Sequence, residues 1–200
     1  MKKSVYLYIL IVPLYMLAFF LAESIVTEGK FISYLPIDDY IPFIEAFVVP
    51  YVAWYPLLFG VGIFLLIKDE EVFKRYMTFI GISFFSIIIL NVIFPNAQEL
   101  RPEVMPRDNI FTDLVSAIYK ADTNTNVIPS MHVVGAIGAS VACLYSKKFS
   151  TPWRVVILAV AVLTSLSTVF IKQHSILDGI VALPYGAITS FISFRRKSRS

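Results

Sequence analysis

The sequence predicts an all-α fold, a polytopic membrane helical bundle of six transmembrane helices with a short amphipathic surface helix in the loop between spans three and four. Two observations predict it. Apolar residues make up 58% of the chain and its mean hydropathy is +0.75, where soluble domains hold roughly 45–50% apolar residues. The charged residues also gather into stretches that separate long apolar runs. No internal repeat or low-complexity linker divides the 200 residues, so one domain over 1–200 is expected.

Lys2 and Lys3 precede an apolar run from Val5 to about Ala22, close to the ~20 residues that cross a bilayer. A secretory signal begins in the same way. Here Phe20 stands where an Ala-x-Ala exit ending at Ala22 needs a small residue, so an uncleaved first span with its N-terminus inside is expected. Glu23 to Tyr40 reads as a polar, turn-rich connection, and Pro42 marks the start of a second helix from about Phe43 to Ile67. Pro50, Tyr51, Trp54, Tyr55 and Pro56 in its middle imply a kink and an interfacial aromatic belt. Lys68 to Arg75 reads as a charged turn, and Tyr76 to Phe94 as an uncharged third span.

The stretch from Pro95 to Pro129 exceeds the ~12–15 residues beyond which a connection is usually functional or disordered. Within it the spacing of Phe111, Leu114, Val115, Ile118 and Tyr119 predicts the amphipathic helix, and the stretch is expected to be ordered and to roof a site. Met131 to Tyr145 is a short fourth span with Gly135, Ala139 and Cys143 on one line, a pattern that lets backbones approach closely and so predicts a central helix. Cys143 is the single cysteine, which excludes an intrachain disulfide and reads as a packed core residue. A fifth span follows Lys147, Lys148 and Arg154 and runs to about Ile171. The sixth follows His174 and ends at Phe194, before Arg195, Arg196, Lys197 and Arg199.

Six crossings from an inside N-terminus assign every connection to a side. Lys2, Lys3, Lys68, Lys74, Arg75, Lys147, Lys148, Arg154 and the C-terminal basic cluster then lie inside. Only Lys30, Arg101, Arg107, Lys120 and Lys172 lie outside, as the positive-inside rule requires. Both termini are thus expected in the cytoplasm of a multi-pass cell-membrane protein. The net charge of +3 is accounted for by this flanking pattern, and no nucleic-acid partner is expected.

Both histidines fall on the outer side, each at the head of an apolar run. His174 has Asp178 four residues on, a spacing that places imidazole and carboxylate on one helix face. A carboxylate inside a span needs a partner, and a carboxylate that fixes an imidazole tautomer makes the other ring nitrogen a base or nucleophile. Pro129 and Ser130 open the helix that carries His132. The free N–H groups of a helix start make an anion site, with Ser130 as cap and phosphate donor. Arg101 adds a planar fork suited to phosphate. A divalent ion held by the histidines and Asp178 is the competing account. The chain has neither HExxH nor a carboxylate-rich cluster, so no metal and no cofactor is expected.

These residues resemble the type 2 phosphatidic acid phosphatase superfamily, which includes lipid phosphotransferases of the sphingomyelin-synthase kind. Its motifs are a lysine followed after six residues by Arg-Pro, then Pro-Ser-x-His, then Ser-Arg followed after five residues by a histidine and, four positions on, an aspartate. This chain has Arg101-Pro102, Pro129-Ser130-Met131-His132, and Ser167-Thr168 with His174 and Asp178 at the same spacing, all within 95–186. It departs from the family at Phe94 and Thr168, where the first-motif lysine and third-motif arginine would stand. Lys172, or Arg107 or Lys120 from the roof, is expected to replace a missing cation. The resemblance implies a lipid phosphatase or phosphotransferase. In it His174 attacks phosphorus, Asp178 orients His174, His132 protonates the leaving oxygen, and Arg101, Ser130 and Lys172 bind the phosphate. Its partners are a lipid phosphate or phospholipid and the bilayer. The alternative is a non-catalytic lipid-binding or transport protein of the same fold.

Overall fold

Two prolines cut the first two apolar runs. The computed structural model, which describes residues 3–26 and 28–195, divides the first run into α1 (Lys3–Ile9) and α2 (Ile11–Ile25) and the second into α3 (Val48–Val52) and α4 (Trp54–Lys68). Pro13 and Pro56 each lie four residues past the last residue of the preceding helix, Ile9 and Val52. Proline cannot donate to the i−4 carbonyl and its ring crowds that carbonyl, so each helix is interrupted there. The second span is interrupted in the stretch where a kink was expected, and the first is interrupted too, which the reading of its apolar run overlooked.

The remaining helices are α5 (Glu70–Ile93), α6 (Ile110–Ala121), α7 (Met131–Tyr145), α8 (Thr151–Phe170) and α9 (Ile176–Phe194). Among the described residues five segments are long and apolar enough to cross a membrane: Val5–Ile25, Glu45–Lys68, Glu70–Ile93, Thr151–Phe170 and Ile176–Phe194. Met131–Tyr145 is apolar but only 15 residues long. The expected charged turn from Lys68 to Arg75 shrinks to Asp69. Its side chain accepts from Val72 N and caps α5, while Lys74 and Arg75 pair with Glu70 and Glu71 one turn earlier. Helical i,i+4 pairing thus extends the third span by six residues at its start.

The bundle has large apolar side chains outside, with Leu14, Leu17, Phe59, Ile93, Leu183 and Phe191 all more than half exposed. Such a surface needs an apolar solvent. Small residues lie inside, and α7 packs against α4, α5, α8 and α9, as its small-residue line predicts. Gly135 leaves room for Trp54, whose Nε1 would lie 2.8 Å from an added Cβ, and a Cβ at Gly138 would collide with the Phe79 ring. Cys143 is fully buried and free.

Hydrogen bonds tie each end of the bundle separately. At one end Ser146 Oγ donates to Asp69 Oδ2 (2.6 Å) and Arg75 donates to the Arg195 carbonyl (2.9 Å). Lys2, Arg196, Lys197 and Arg199, expected at this basic end, lie outside the described residues. At the other end the connections form structure of their own. Strand β1 (Phe31–Ile32), from the connection read as plain turn, pairs in parallel with β2 (Asn96–Ala97). The buried Asn96 then joins α5 to the segment before α7. Its Oδ1 accepts from Val127 N (2.8 Å) and Ile128 N (2.9 Å), and its Nδ2 donates to Asn91 Oδ1 (3.0 Å) and the Phe94 carbonyl (2.9 Å).

Helix α6 has the expected amphipathic character. Val115 is buried with Val48, Tyr51 and Ile171 in a small second core, with Ile118 and Tyr119 beside them, while Phe111 and Leu114 stay exposed. An Asn109 cap starts the helix, and Arg107 and Asn109 both bond Glu45, which anchors the connection to the start of the second span.

Candidate active site

His174 stands one residue ahead of the Ser175 cap of α9, outside the helix. Ser175 Oγ accepts from Leu177 N (3.1 Å) and Asp178 Oδ2 accepts from Ser175 N (3.1 Å), the reciprocal bonds of a capping box. This corrects the expectation that helical i,i+4 stacking brings the pair together. Asp178 reaches back over the helix start, and the same Oδ2 accepts from His174 Nδ1 at 2.9 Å. Asp178 is fully buried, and Ser33 Oγ donates to its other oxygen. The carboxylate accepts three bonds, from His174, Ser175 N and Ser33, and the backbone carbonyl of Asp178 accepts a further one from Ser130 N (3.2 Å).

The bond from Ser130 N also locks the head of α7 to the first turn of α9. It brings the His132 and His174 rings to 5.8 Å between centroids, edge to face. His132 is held from the other side by Tyr51, stacked at 4.3 Å, and by Trp54, whose Nε1 donates to the His132 carbonyl at 3.0 Å. Its Nε2 is buried and has no hydrogen-bond partner. Buried polar atoms are nearly always paired. Asn126 Oδ1, His132 Nε2 and Gln173 Oε1 are unpaired and belong to residues that line one cavity, and Ser130 Oγ, two residues before His132, is unpaired as well.

Both histidines line a cavity of about 850 Å³. Its walls are apolar: Val12 and Phe19 from α2, Leu58, Gly62 and Leu66 from α4, Phe73, Tyr76 and Phe84 from α5. From Trp54 to Leu66 the α4 wall covers about 18 Å by helical rise. The histidines sit at one end with Glu23, Asp122, Thr123, Asn126 and Gln173.

Compared with known protein families, with curated proteins and with solved structures, the chain gives no match.

The structure brings His132, His174, Asp178 and Ser130 together and leaves the expected cations outside the cavity. Arg101 points at the end of α6. Its guanidinium donates to the carbonyls of Tyr119 (3.2 Å), Asp122 (3.0 Å) and Thr123 (2.6 Å) and lies 4.5 Å over the Tyr119 ring. Lys172 has a left-handed backbone (φ 54°) and donates to the Asp38 carbonyl at 2.8 Å. Burial lowers its ammonium pKa, against the pull of Asp38 and Asp39. Arg107 is paired with Glu45 and Lys120 is exposed, so neither folds in from the roof. Phe94 is half exposed, and Thr168 holds the His174 loop by accepting from Gln173 N (2.9 Å) and His174 N (3.0 Å) at its carbonyl. Ser130 occupies the cap position of α7, but its hydroxyl makes no cap bond and lies buried without a partner, which corrects that expectation.

Sequence reasoning overlooked Ser33 and Asp38. Asp38 is buried and accepts from Ser175 Oγ (2.6 Å), Ile176 N (2.9 Å) and Leu35 N (2.8 Å), so it braces the start of α9 from 137 residues away. No local pattern signals such a contact. The Ser175-x-x-Asp178 box, in contrast, is a readable signal of a helix start.

Proposed function

We propose that the chain is a membrane lipid phosphatase or lipid phosphotransferase that cleaves a lipid phosphoester through a phosphohistidine. One observation carries the proposal: Asp178 holds His174 Nδ1 at 2.9 Å while His132, with an unpaired Nε2, stands edge-on to it in the wall of a long apolar cavity. An Nδ1–H donated to a carboxylate leaves the lone pair on His174 Nε2. That lone pair forms the N–P bond as the ester P–O bond breaks, and the leaving alkoxide takes a proton from His132. Water or an acceptor alcohol then attacks phosphorus, returns a proton to His132 and releases His174. The cavity beside the histidines accommodates the lipid chains. The resemblance in the three motifs agrees with this chemistry.

On the same reading α7 is the fourth of six spans and is held deep by its neighbours, α6 lies at the outer membrane surface, and the basic end faces the cytoplasm. A reporter fused after Ser200 is therefore expected inside, and cysteine labelling at Val104, 81% exposed, is expected from outside. A reporter found outside overturns the orientation.

One observation favours the second reading, a lipid-binding protein without turnover: among the described residues no lysine or arginine lines the cavity. Purified protein incubated with phosphatidic acid, phosphatidylglycerol phosphate, isoprenyl diphosphates and neutral-headgroup phospholipids decides between them. Release of phosphate or transfer of a headgroup is expected, inhibited by orthovanadate, which takes the five-coordinate shape of the transferring phosphoryl group, and indifferent to EDTA. Silence across the panel favours binding. Activity lost with EDTA and restored by magnesium or zinc makes the histidines metal ligands and a bound water the nucleophile.

A further inference from the structure

The histidine end of the cavity carries two buried, unpaired amide oxygens and two carboxylates. Gln173 is 3% exposed and lines the cavity. Its Nε2 donates to Asp122 Oδ2 (3.1 Å) and Tyr51 Oη (3.3 Å), which leaves Oε1 buried and unpaired. With Asp122 ionised, its carboxylate can only accept and so sets the amide orientation; burial raises the Asp122 pKa, and His174 and Arg101 oppose that. Asn126, on a left-handed backbone (φ 59°), donates Nδ2 to Glu23 Oε1 (2.6 Å) and likewise leaves Oδ1 buried and unpaired.

The charge at this end has the same sense. Neither Asp122 nor Glu23 is ion-paired among the described residues. Glu23 takes neutral donors only, Asn126 and Thr123 Oγ1 (2.5 Å). Arg101 offsets part of this charge from behind, yet its NH1 and NH2 are bonded to carbonyls. Tyr15, Tyr51, Trp54 and Tyr55 line the same space, and aromatic rings attract cations. A dianionic phosphomonoester would meet two carboxylates here with no facing cation. A phosphodiester with an ammonium group would bring one negative charge to the histidines and a positive one to the carboxylates.

We propose, resting on the phosphohistidine reading of this site, that the substrate is a phosphodiester lipid whose headgroup bears a primary ammonium, as in ethanolamine phospholipids, with its N–H groups on Asp122, Gln173 Oε1 and Asn126 Oδ1. The N–H groups matter because a quaternary ammonium supplies charge but leaves both amide oxygens buried and unpaired.

Binding can be read apart from turnover through Trp54, which lines the cavity, in a Trp153→Phe background that removes the exposed tryptophan of α8. The protein in detergent is titrated with dihexanoyl phosphatidylethanolamine, phosphatidylcholine and phosphatidic acid. The ethanolamine lipid is expected to bind about ten-fold more tightly than either of the others, and Asp122→Asn to remove that margin over phosphatidic acid. Phosphatidic acid binding as tightly as the ethanolamine lipid to the unsubstituted site overturns the assignment, and this comparison does not depend on any Asp122 variant folding. Equal binding of the choline lipid overturns the role of the N–H donors. The expected preference without turnover of any lipid supports the headgroup assignment and sinks the phosphohistidine reading. Turnover confined to phosphatidic acid keeps the histidines and overturns the headgroup.

Discussion

Turnover is expected to vanish in His174→Ala and to fall by about 10³- to 10⁴-fold in Asp178→Asn. The alanine removes the atom that would bond phosphorus. The asparagine keeps the volume and the acceptor for Ser33 Oγ or Ser175 N, but it presents either an amide N–H or a neutral oxygen to His174 Nδ1 in place of the carboxylate 2.9 Å away. The imidazole then loses both its tautomer control and the charge that stabilises it once it bonds phosphorus. His132→Ala is expected to slow substrates with poor leaving groups more than activated aryl phosphoesters, because only the former need a proton in the transition state. The checks are initial rates on the two substrate types and acid-labile, base-stable phosphate labelling of the unsubstituted protein. Full activity in His174→Ala, or a uniform slowing of both substrate types in His132→Ala, would sink these roles.

Asn96→Leu is expected to be among the most destabilising single changes, at about 2–6 kcal/mol. Two backbone N–H groups, those of the buried Val127 and Ile128, lose their acceptor, and each unpaired buried donor costs about 1–3 kcal/mol. The leucine is similar in size, so the effect is polar and not that of a cavity. The bonds from Asn96 Nδ2 to Asn91 Oδ1 and the Phe94 carbonyl are lost too. Asn96→Asp, which retains an acceptor for both N–H groups, is expected to fall between the two. Thermal unfolding in detergent reads the order. The segment that Asn96 holds leads directly into Ser130 and His132, so a loss of activity below the unfolding temperature is expected to accompany it. An unfolding midpoint unchanged in Asn96→Leu would leave Asn96 without its assigned role.

What was legible in the chain follows the range of the physics involved. Apolar runs, loop charges and the small-residue line of α7 are local properties, and each corresponds to an element of the bundle. The boundaries erred where a short-range device intervened that hydropathy does not register. Pro13 cut the first run, and the i,i+4 pairs of Lys74 and Arg75 drew charged residues into α5. The pairing of His174 with Asp178 was foreseen from spacing, but the structure makes it by a capping box, because the helix begins two residues after His174.

The sequence alone determined the helical class, the long apolar helices and the nearness of His174 to Asp178, since hydropathy along a run and a four-residue separation act within a few turns of chain. The tertiary structure alone decided what surrounds them. The cations Arg101 and Lys172 turned to backbone carbonyls, because an unsatisfied carbonyl at a helix end or in a tight loop is a strong local acceptor. Asp38 and Ser33, more than 130 residues before α9 in the chain, completed the hydrogen bonds of its first turn. Such contacts form only when every helix is in place, and no spacing along the chain encodes them.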